Sequence, residues 1–420
     1  MRNGKAVCGI DFGTSNSAIM AVDGGSLLPI CLEQEKTTIP SALFFNMDDQ
    51  NISYGRRAIE QYLDGHTGRL LRSLKSVLGS SLAQEQTQVG GRSLGFIEII
   101  NLFVAHIKQM AEQQLQADLD QVVMGRPVYF VDNDPVADQK AEDQLRAILV
   151  NQGFKHISFE YEPIAAAKDY ETTLSKEEIV LVFDIGGGTS DFTLMRLSPE
   201  QHKKTERQRD ILATAGIHLG GTDFDKIFSL HSIMPQIGYR GQQINGLPMP
   251  SHHFHSLATW HLINSLYSQK SKAAIRSLHA QAANPQHTGR LVHIIENQRG
   301  HELASGIEKA KIALTESESI TLDMGFIERD WRVSLNNNEL ERAIHQEIQQ
   351  ICTLALETVT QLGGLNKTRV NTIFMTGGST ALPGFQQRIQ HFFPEATIAY
   401  GDRFSSVVKG LGITAAERYS

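Results

Sequence analysis

The sequence has little cysteine: three residues in 420, Cys8, Cys31 and Cys352. Their spacing matches no metal-ligand pattern and an odd number forms no disulfide framework, so a reduced compartment is expected. No apolar run approaches the roughly 18 residues of a membrane span. The first one, Ala6 to Ile10, is cut short by Asp11, so no signal peptide is expected. Excess positive charge is missing as well. With 39 basic and 46 acidic residues the net charge is −7, which leaves no basic field for a nucleic-acid backbone. These absences predict a cytoplasmic protein with neither a membrane nor a nucleic acid as partner. GxxxxGK[ST], the phosphate loop that opens a helix, does not occur. The two tryptophans, Trp260 and Trp331, read as packing residues rather than a ligand platform. The "SHHFHS" stretch, His252 to His255, has no carboxylate or cysteine nearby in sequence and reads as a loop or helix surface.

What remains is an ordinary globular balance, 41% apolar and 20% charged, in a chain too long for one core. That chain writes one turn twice. "VCGIDFGTSNSAIM" (Val7 to Met20) and "VFDIGGGTSDFTLM" (Val182 to Met195) both run apolar residues into aspartate, glycine, Thr-Ser and a second Asn or Asp. The leading aspartates, Asp11 and Asp184, are 184 − 11 = 173 positions apart. In each copy a strand resumes after the glycines, where a Rossmann fingerprint requires a helix.

Around the two copies, strands alternate with helices. "PVADQKAEDQLRAILVNQGF" reads as a helix stopped at Gly153, followed by strand Ile157–Tyr161 and helix Ile164–Tyr170. "GIHLGGTDFDKIF" reads as a glycine turn and a helix capped near Thr222 or Asp223. Glu339 to Leu362 reads as a long helix, and "VNTIFMTGGSTALPGFQQRI" as strand, glycine turn and helix. Two similar halves with mixed sheets are expected, 1–177 and 178–395. Each carries an outer insertion, about 38–118 and about 225–335, and a helix over 396–420 returns to the first half.

Glycine-rich hairpins let consecutive N–H groups turn towards phosphate without hindrance from Cβ. An aspartate before each turn suits magnesium, held through the waters it gives up reluctantly. Two such hairpins facing each other would grip a nucleoside triphosphate from both sides.

"GIDFGTSNS", "EPIAAAKDY", "FDIGGGTSDF", "HLGGTDFD", "GIEKAKIAL" and "GGSTALPGF" stand in the order found in the ATPase domain of the seventy-kilodalton heat-shock (DnaK-type) chaperones, which this chain resembles over nearly its whole length. "MGRPVYF" and "FEYEPIAAAKDYE" are similar to the YegD branch, short relatives without a peptide-binding domain. The resemblance implies an actin-like, ribonuclease-H-like α/β fold with two lobes, binding ATP or ADP with Mg2+ and hydrolysing ATP slowly. It implies that Asp11, Asp184 and Asp191 hold the hydrated ion. It gives Gly13, Thr14, Ser15 and Asn16 to the phosphates from lobe I, and Gly186, Gly187, Gly188 and Thr189 from lobe II. Lys75 matches the lysine that orients attacking water, and Glu162 the acid that relays a proton. Gly220 and Gly221 match the glycine hinge, while Glu308 and Lys311 match the pair that reaches ribose hydroxyls. Gly377, Gly378 and Ser379 match the adenosine loop.

Alone, Lys75 would be a surface charge on a helix and Glu162 the cap of the helix that starts with Pro163. The chain departs from the family where Ala381 and Ile312 replace two arginines that pack on adenine, which puts base preference in doubt. Only 35 residues follow Phe385 (420 − 385), too few for a β-sandwich, so no extended-peptide clamp is expected in this chain. A protein client or co-chaperone-like partner is expected to use a lobe surface. Two alternatives stay open, an actin-like filament protein and a small-molecule kinase of the same superfamily.

Overall fold

A computed structural model describes residues 6–89, 91–131, 134–201, 204, 207–402 and 405–419. Two mixed sheets built to one plan form its two lobes. In the first, β1 (Ala6–Phe12), β2 (Asn16–Asp23) and β3 (Ser26–Pro29) run antiparallel in succession. β4 (Leu119–Arg126) and β5 (His156–Tyr161) add in parallel beyond β1, giving the order β5-β4-β1-β2-β3. In the second, β6 (Glu178–Ile185), β7 (Ser190–Leu197) and β8 (Ile211–Ile217) repeat the antiparallel run. β9 (Thr372–Thr376) and β10 (Thr397–Tyr400) repeat the parallel pair, and the order is β10-β9-β6-β7-β8. Adding five to each strand label of the first sheet produces the second. The central strands "AVCGIDF", "EIVLVFDI" and "TIFMT" are near-continuous apolar runs because helices cover both faces.

The register corrects how the two turns align. Phe12 pairs with Ser17 and Asp11 with Ala18, as Ile185 pairs with Ser190 and Asp184 with Asp191. Both hairpins therefore have four-residue loops, 13–16 and 186–189, and one offset of 173 relates every position. Asn16 is the counterpart of Thr189, and Ala18, not Asn16, stands where lobe II has Asp191. Lobe I contributes one acid to the turn and lobe II contributes two.

The insertions lie away from the paired sheets. Within 38–118, strands Asn51–Tyr54, Ala42–Asn46 and Gly68–Arg72 form a small sheet beside helix Gly55–Leu63. The insertion is narrower than its expected bounds. Thr38–Pro40 pairs with β2, and helix Phe96–Leu115 buries Ile99, Phe103 and Ile107 in one cluster with Ile10, Phe12 and Val122. Within 225–335 the chain is mostly helical, with one hairpin, Ser319–Asp323 against Arg332–Asn336. At the C-terminal side the strand β10 occupies 397–400, so the return to lobe I begins only at residue 406.

Two helices join the lobes, α1 (Glu162–Glu171) and α4 (Ser406–Tyr419). Ser406 Oγ lies 3.0 Å from Thr376 Oγ1 at the end of β9, so α4 starts on lobe II. It then packs into lobe I, where Leu411 and Ala415 share a cluster with Val7, Val22, Val123 and Ala165. Glycines set that approach. A Cβ on Gly410 would stand 1.9 Å from Ala165 O, and one on Gly9 2.5 Å from Gly412 N. Lys168–Glu417 (2.6 Å) and Lys409–Asp169 (2.7 Å) fasten α4 along α1.

Candidate functional site

The two hairpins meet in the cleft between the lobes. A Cβ on Gly187 would stand 1.8 Å from Ser15 Oγ and 2.9 Å from Ser15 Cβ, so lobe I touches the bare backbone of lobe II here. Each loop is braced from behind. Ser41 Oγ donates to Gly13 O (2.7 Å), Ser41 N to Ser15 O (2.9 Å), and Ser17 Oγ lies 2.9 Å from Ser41 Oγ. In lobe II, Ser190, the counterpart of Ser17, donates from Oγ to Leu219 O (2.6 Å). Gly221 N donates to Gly186 O (3.0 Å), while Thr222 N and Oγ1 donate to Gly187 O (2.7 and 2.8 Å). These braces engage loop carbonyls. Among the described residues, none accepts from the N–H groups of Thr14, Ser15, Gly187 or Gly188. Free amides in a turn are what an anion takes.

Gly220 has to be glycine, because a Cβ there would stand 2.7 Å from Gly188 N. It is also the cap of α2 (Gly221–Phe228), which corrects the expected cap at Thr222 or Asp223. Asp223 is instead the third residue of that helix, and its carboxylate accepts from Gly220 N (3.0 Å). Gly377 has φ +83°, and a Cβ would stand 2.4 Å from Ile185 O and 2.9 Å from Asp184 Oδ1. The close approach that requires glycine is thus to the end of β6. Gly378 opens the 3-10 turn Gly378–Ala381, whose Ser379 Oγ donates to Gly186 O (3.4 Å).

The charged groups gather beside the loops. Lys75 lies in the 3-10 turn Leu74–Val77, not on an α-helix, and its side chain is buried rather than a surface charge. Its Nζ is 2.5 Å from Glu162 Oε1. Glu162 is the first residue of α1 but not its cap, which is Tyr161, and its carboxylate is directed at the lysine. Burial alone would lower the pKa of Lys75. Glu162, Asp11 and Asp184 outweigh burial, so the pKa is raised and the ammonium stays charged. Burial pushes Asp11 up to about 7, assisted by Glu162 and opposed by Lys75. Burial pushes Asp184 up to about 8, assisted by Asp191, Glu162 and Asp11 and again opposed by Lys75. Four acids, Asp11, Asp184, Asp191 and Glu162, and a single lysine form a cluster short of positive charge. Such a donor set fits a divalent cation. Among the described residues no three His, Cys, Asp or Glu side chains close on one point as direct ligands.

Asp191 Oδ2 accepts from Thr189 Oγ1 (2.9 Å). Its register partner is Gly216, where a Cβ would stand 2.6 Å from Asp191 Oδ1. Glu308 and Lys311 lie on α3 (Gly300–Ala313) but part company. Lys311 is turned inward, its Nζ 2.8 Å from both Gly221 O and Asp225 Oδ1, so it ties α3 to the glycine hinge. Glu308 stays half-buried and Ile312 is exposed.

Motif reasoning passes over Ser41 and Gly216, and reads Thr222 only as a helix cap. Gly216 opens the stretch "GIHLGG", and pairing β8 against β7 in register would have set it opposite Asp191. Ser41 offers no such signal, being a lone serine after a proline.

The family model described as "Hsp70 protein" matches residues 7–237 and 287–410. The "Chaperone protein HscA homolog" of Haemophilus influenzae (strain PittGG) is 25% identical over 434 aligned positions, covering 98% of this chain and 57% of that protein. The "Chaperone protein HscA homolog" of Actinobacillus pleuropneumoniae serotype 5b (strain L20) is 26% identical, covering 98% of this chain and 58% of its own length. "Chaperone protein HscA" of Citrobacter koseri is 25% identical, with shares of 98% and 58%. The chain thus spans a little under three fifths of the curated relatives it matches. Among the described residues no helix is long and apolar enough to cross a membrane.

Proposed function

Because the chain belongs to the Hsp70 family, with that family's actin-like ATPase fold, we propose that it is a nucleotide switch that binds ATP and hydrolyses it slowly. The observation carrying this reading is the pair of hairpins, related by one offset, that meet at Gly187 and Ser15 and leave amides free beside Asp11, Asp184 and the Lys75–Glu162 pair. Within loops 13–16 and 186–189, the N–H groups of Thr14, Ser15, Gly187 and Gly188 bind the phosphate chain, and Thr189 reaches its far end. Asp11, Asp184 and Asp191 would hold hydrated magnesium, which when bound neutralises phosphate oxygens. Lys75 orients the attacking water and offsets charge developing in the transition state. Glu162, already in contact with that lysine, accepts the water's proton. Glu308 contacts the ribose. Gly377 and Ser379 border the nucleoside, while Ala381 and Ile312 offer the base no cationic plane. The switch is closing of the lobes about α1 and α4, which alters the outer surfaces open to a client or co-chaperone-like partner. Within the family we place the chain in the YegD-like branch.

Calorimetric titration of ATP with magnesium and with EDTA tests the reading. Magnesium should tighten binding at least tenfold, because without it phosphates face uncompensated carboxylates. Equal affinity in the two buffers overturns it.

A further inference from the structure

The family model leaves residues 238–286 unmatched, and that segment reaches across the cleft. In its 3-10 stretch Trp260–Tyr267, the Trp260 ring lies under the Arg72 guanidinium of lobe I, 4.7 Å from centroid to Cζ. Asn264 Oδ1 accepts from Tyr62 Oη, also of lobe I, at 2.6 Å. Between these contacts stands His301, buried at the start of α3. The Tyr62 ring meets it edge-on at 4.7 Å and the Trp260 ring at 4.8 Å. The segment is itself anchored to α3, since Gly300 N donates to Tyr267 Oη (3.0 Å).

Arg72 ends the strand that leads into the Lys75 turn. Burial lowers its pKa, and the carboxylates of Glu308 and Asp225 on lobe II oppose that shift. A half-buried guanidinium stacked on an aromatic face, in the field of two carboxylates of the opposite lobe, has little reason to leave. The ring it stacks on belongs to the opposite lobe. Arg72 and Tyr62 therefore bind lobe II directly, and the cleft does not open without breaking their contacts.

We propose that Trp260 and Asn264, supplied by this unmatched segment, form with Arg72 and Tyr62 a clasp that sets how fast bound nucleotide leaves. The clasp supplies the retention that Ala381 and Ile312 do not supply at the base. Its residues are positioning residues. They hold the lobes closed and touch no reacting atom. The inference rests on the nucleotide reading above, so its test has a part that needs no nucleotide.

In a Trp331→Phe protein, Trp260 is the sole tryptophan, and acrylamide quenching of its fluorescence reports the clasp directly. Arg72→Ala in that background should raise the quenching constant about twofold, and no change overturns the contact. Release of radiolabelled ADP is then followed after a chase with excess unlabelled ADP. Trp260→Ala should release about tenfold faster, Tyr62→Phe about threefold faster, and Trp260→Phe, which keeps a ring under Arg72, within threefold of wild type. Single-turnover hydrolysis by Trp260→Ala should stay within twofold of wild type. Release rates equal to wild type in both Trp260→Ala and Tyr62→Phe overturn the proposal, as does equal loss of hydrolysis and retention. A wild-type protein that binds no ADP overturns the nucleotide reading and retention with it, while quenching still decides whether the contact exists.

Discussion

Gly187→Ala tests the idea that the cleft works by bringing two backbones together. The new methyl would stand 1.8 Å from Ser15 Oγ and 2.9 Å from Ser15 Cβ. Rotation about χ1 can move the hydroxyl away, but the Cβ has no such freedom. Ordinary contact begins at 3.4 Å, so about 3.4 − 2.9 = 0.5 Å must come from the loops moving apart. Misplacement of reacting groups by about 1 Å costs on the order of 100-fold in rate, so half that distance predicts roughly tenfold slower hydrolysis. Single-turnover ATP hydrolysis with protein in excess measures it. The decisive variant is the double one, because Ser15→Gly removes both atoms the methyl meets. Gly187→Ala should therefore cost no more than about twofold when added to Ser15→Gly. A double-mutant cycle with no coupling, or a Gly187→Ala protein as fast as wild type, would show that the loops do not need this contact.

Lys75→Ala should slow single-turnover hydrolysis by about 10²–10³-fold while nucleotide affinity in equilibrium titration changes little. A large loss of affinity with unchanged hydrolysis would reassign the lysine to binding. Ala381→Arg should tighten ADP relative to GDP by about fivefold, roughly 1 kcal/mol, as a guanidinium reaches the base. Competition titration reads this, and an unchanged base preference would place the base elsewhere. Gly410→Ala forces a methyl against Ala165 O and should cost about 1–3 kcal/mol of stability, visible as a lower Tm in calorimetry. An unchanged Tm would mean that α1 and α4 separate without penalty.

The sequence disclosed what is local. Both hairpins, the strands flanking them and the order of the glycine motifs follow from short patterns, because a turn's chemistry lies in adjacent residues. Matching letters misled where register mattered. "TSN" and "TSD" look equivalent, yet strand pairing sets Asn16 against Thr189 and leaves Ala18 in the place of Asp191. Lys75 looked like an ordinary surface lysine because its burial depends on Glu162, 87 positions away. Lys311 looked free to reach a ribose, since nothing in "GIEKAKIAL" indicates that Gly221 O and Asp225 claim its ammonium. The contact of Arg72 with Trp260 joins two insertions, 260 − 72 = 188 positions apart, and no periodicity reports on such a pair.

The packing of α4 sets an order on the making of the protein. Lobe I is begun first and closed last, because the face of β1 around Val7 and Gly9 is covered by residues near 411. On a ribosome adding about 5–20 residues per second, the 400 positions from residue 6 to residue 406 take roughly 20–80 s. Until then Val7 and Val22, joined in turn by Val123 and Ala165, present an apolar face without the cover of Leu411 and Ala415. Lobe II runs unbroken from β6 to β10 and can collapse while its neighbour still waits. The nascent chain thus carries a finished half and an uncovered half together, and is itself for a time the kind of exposed apolar surface on which aggregation starts.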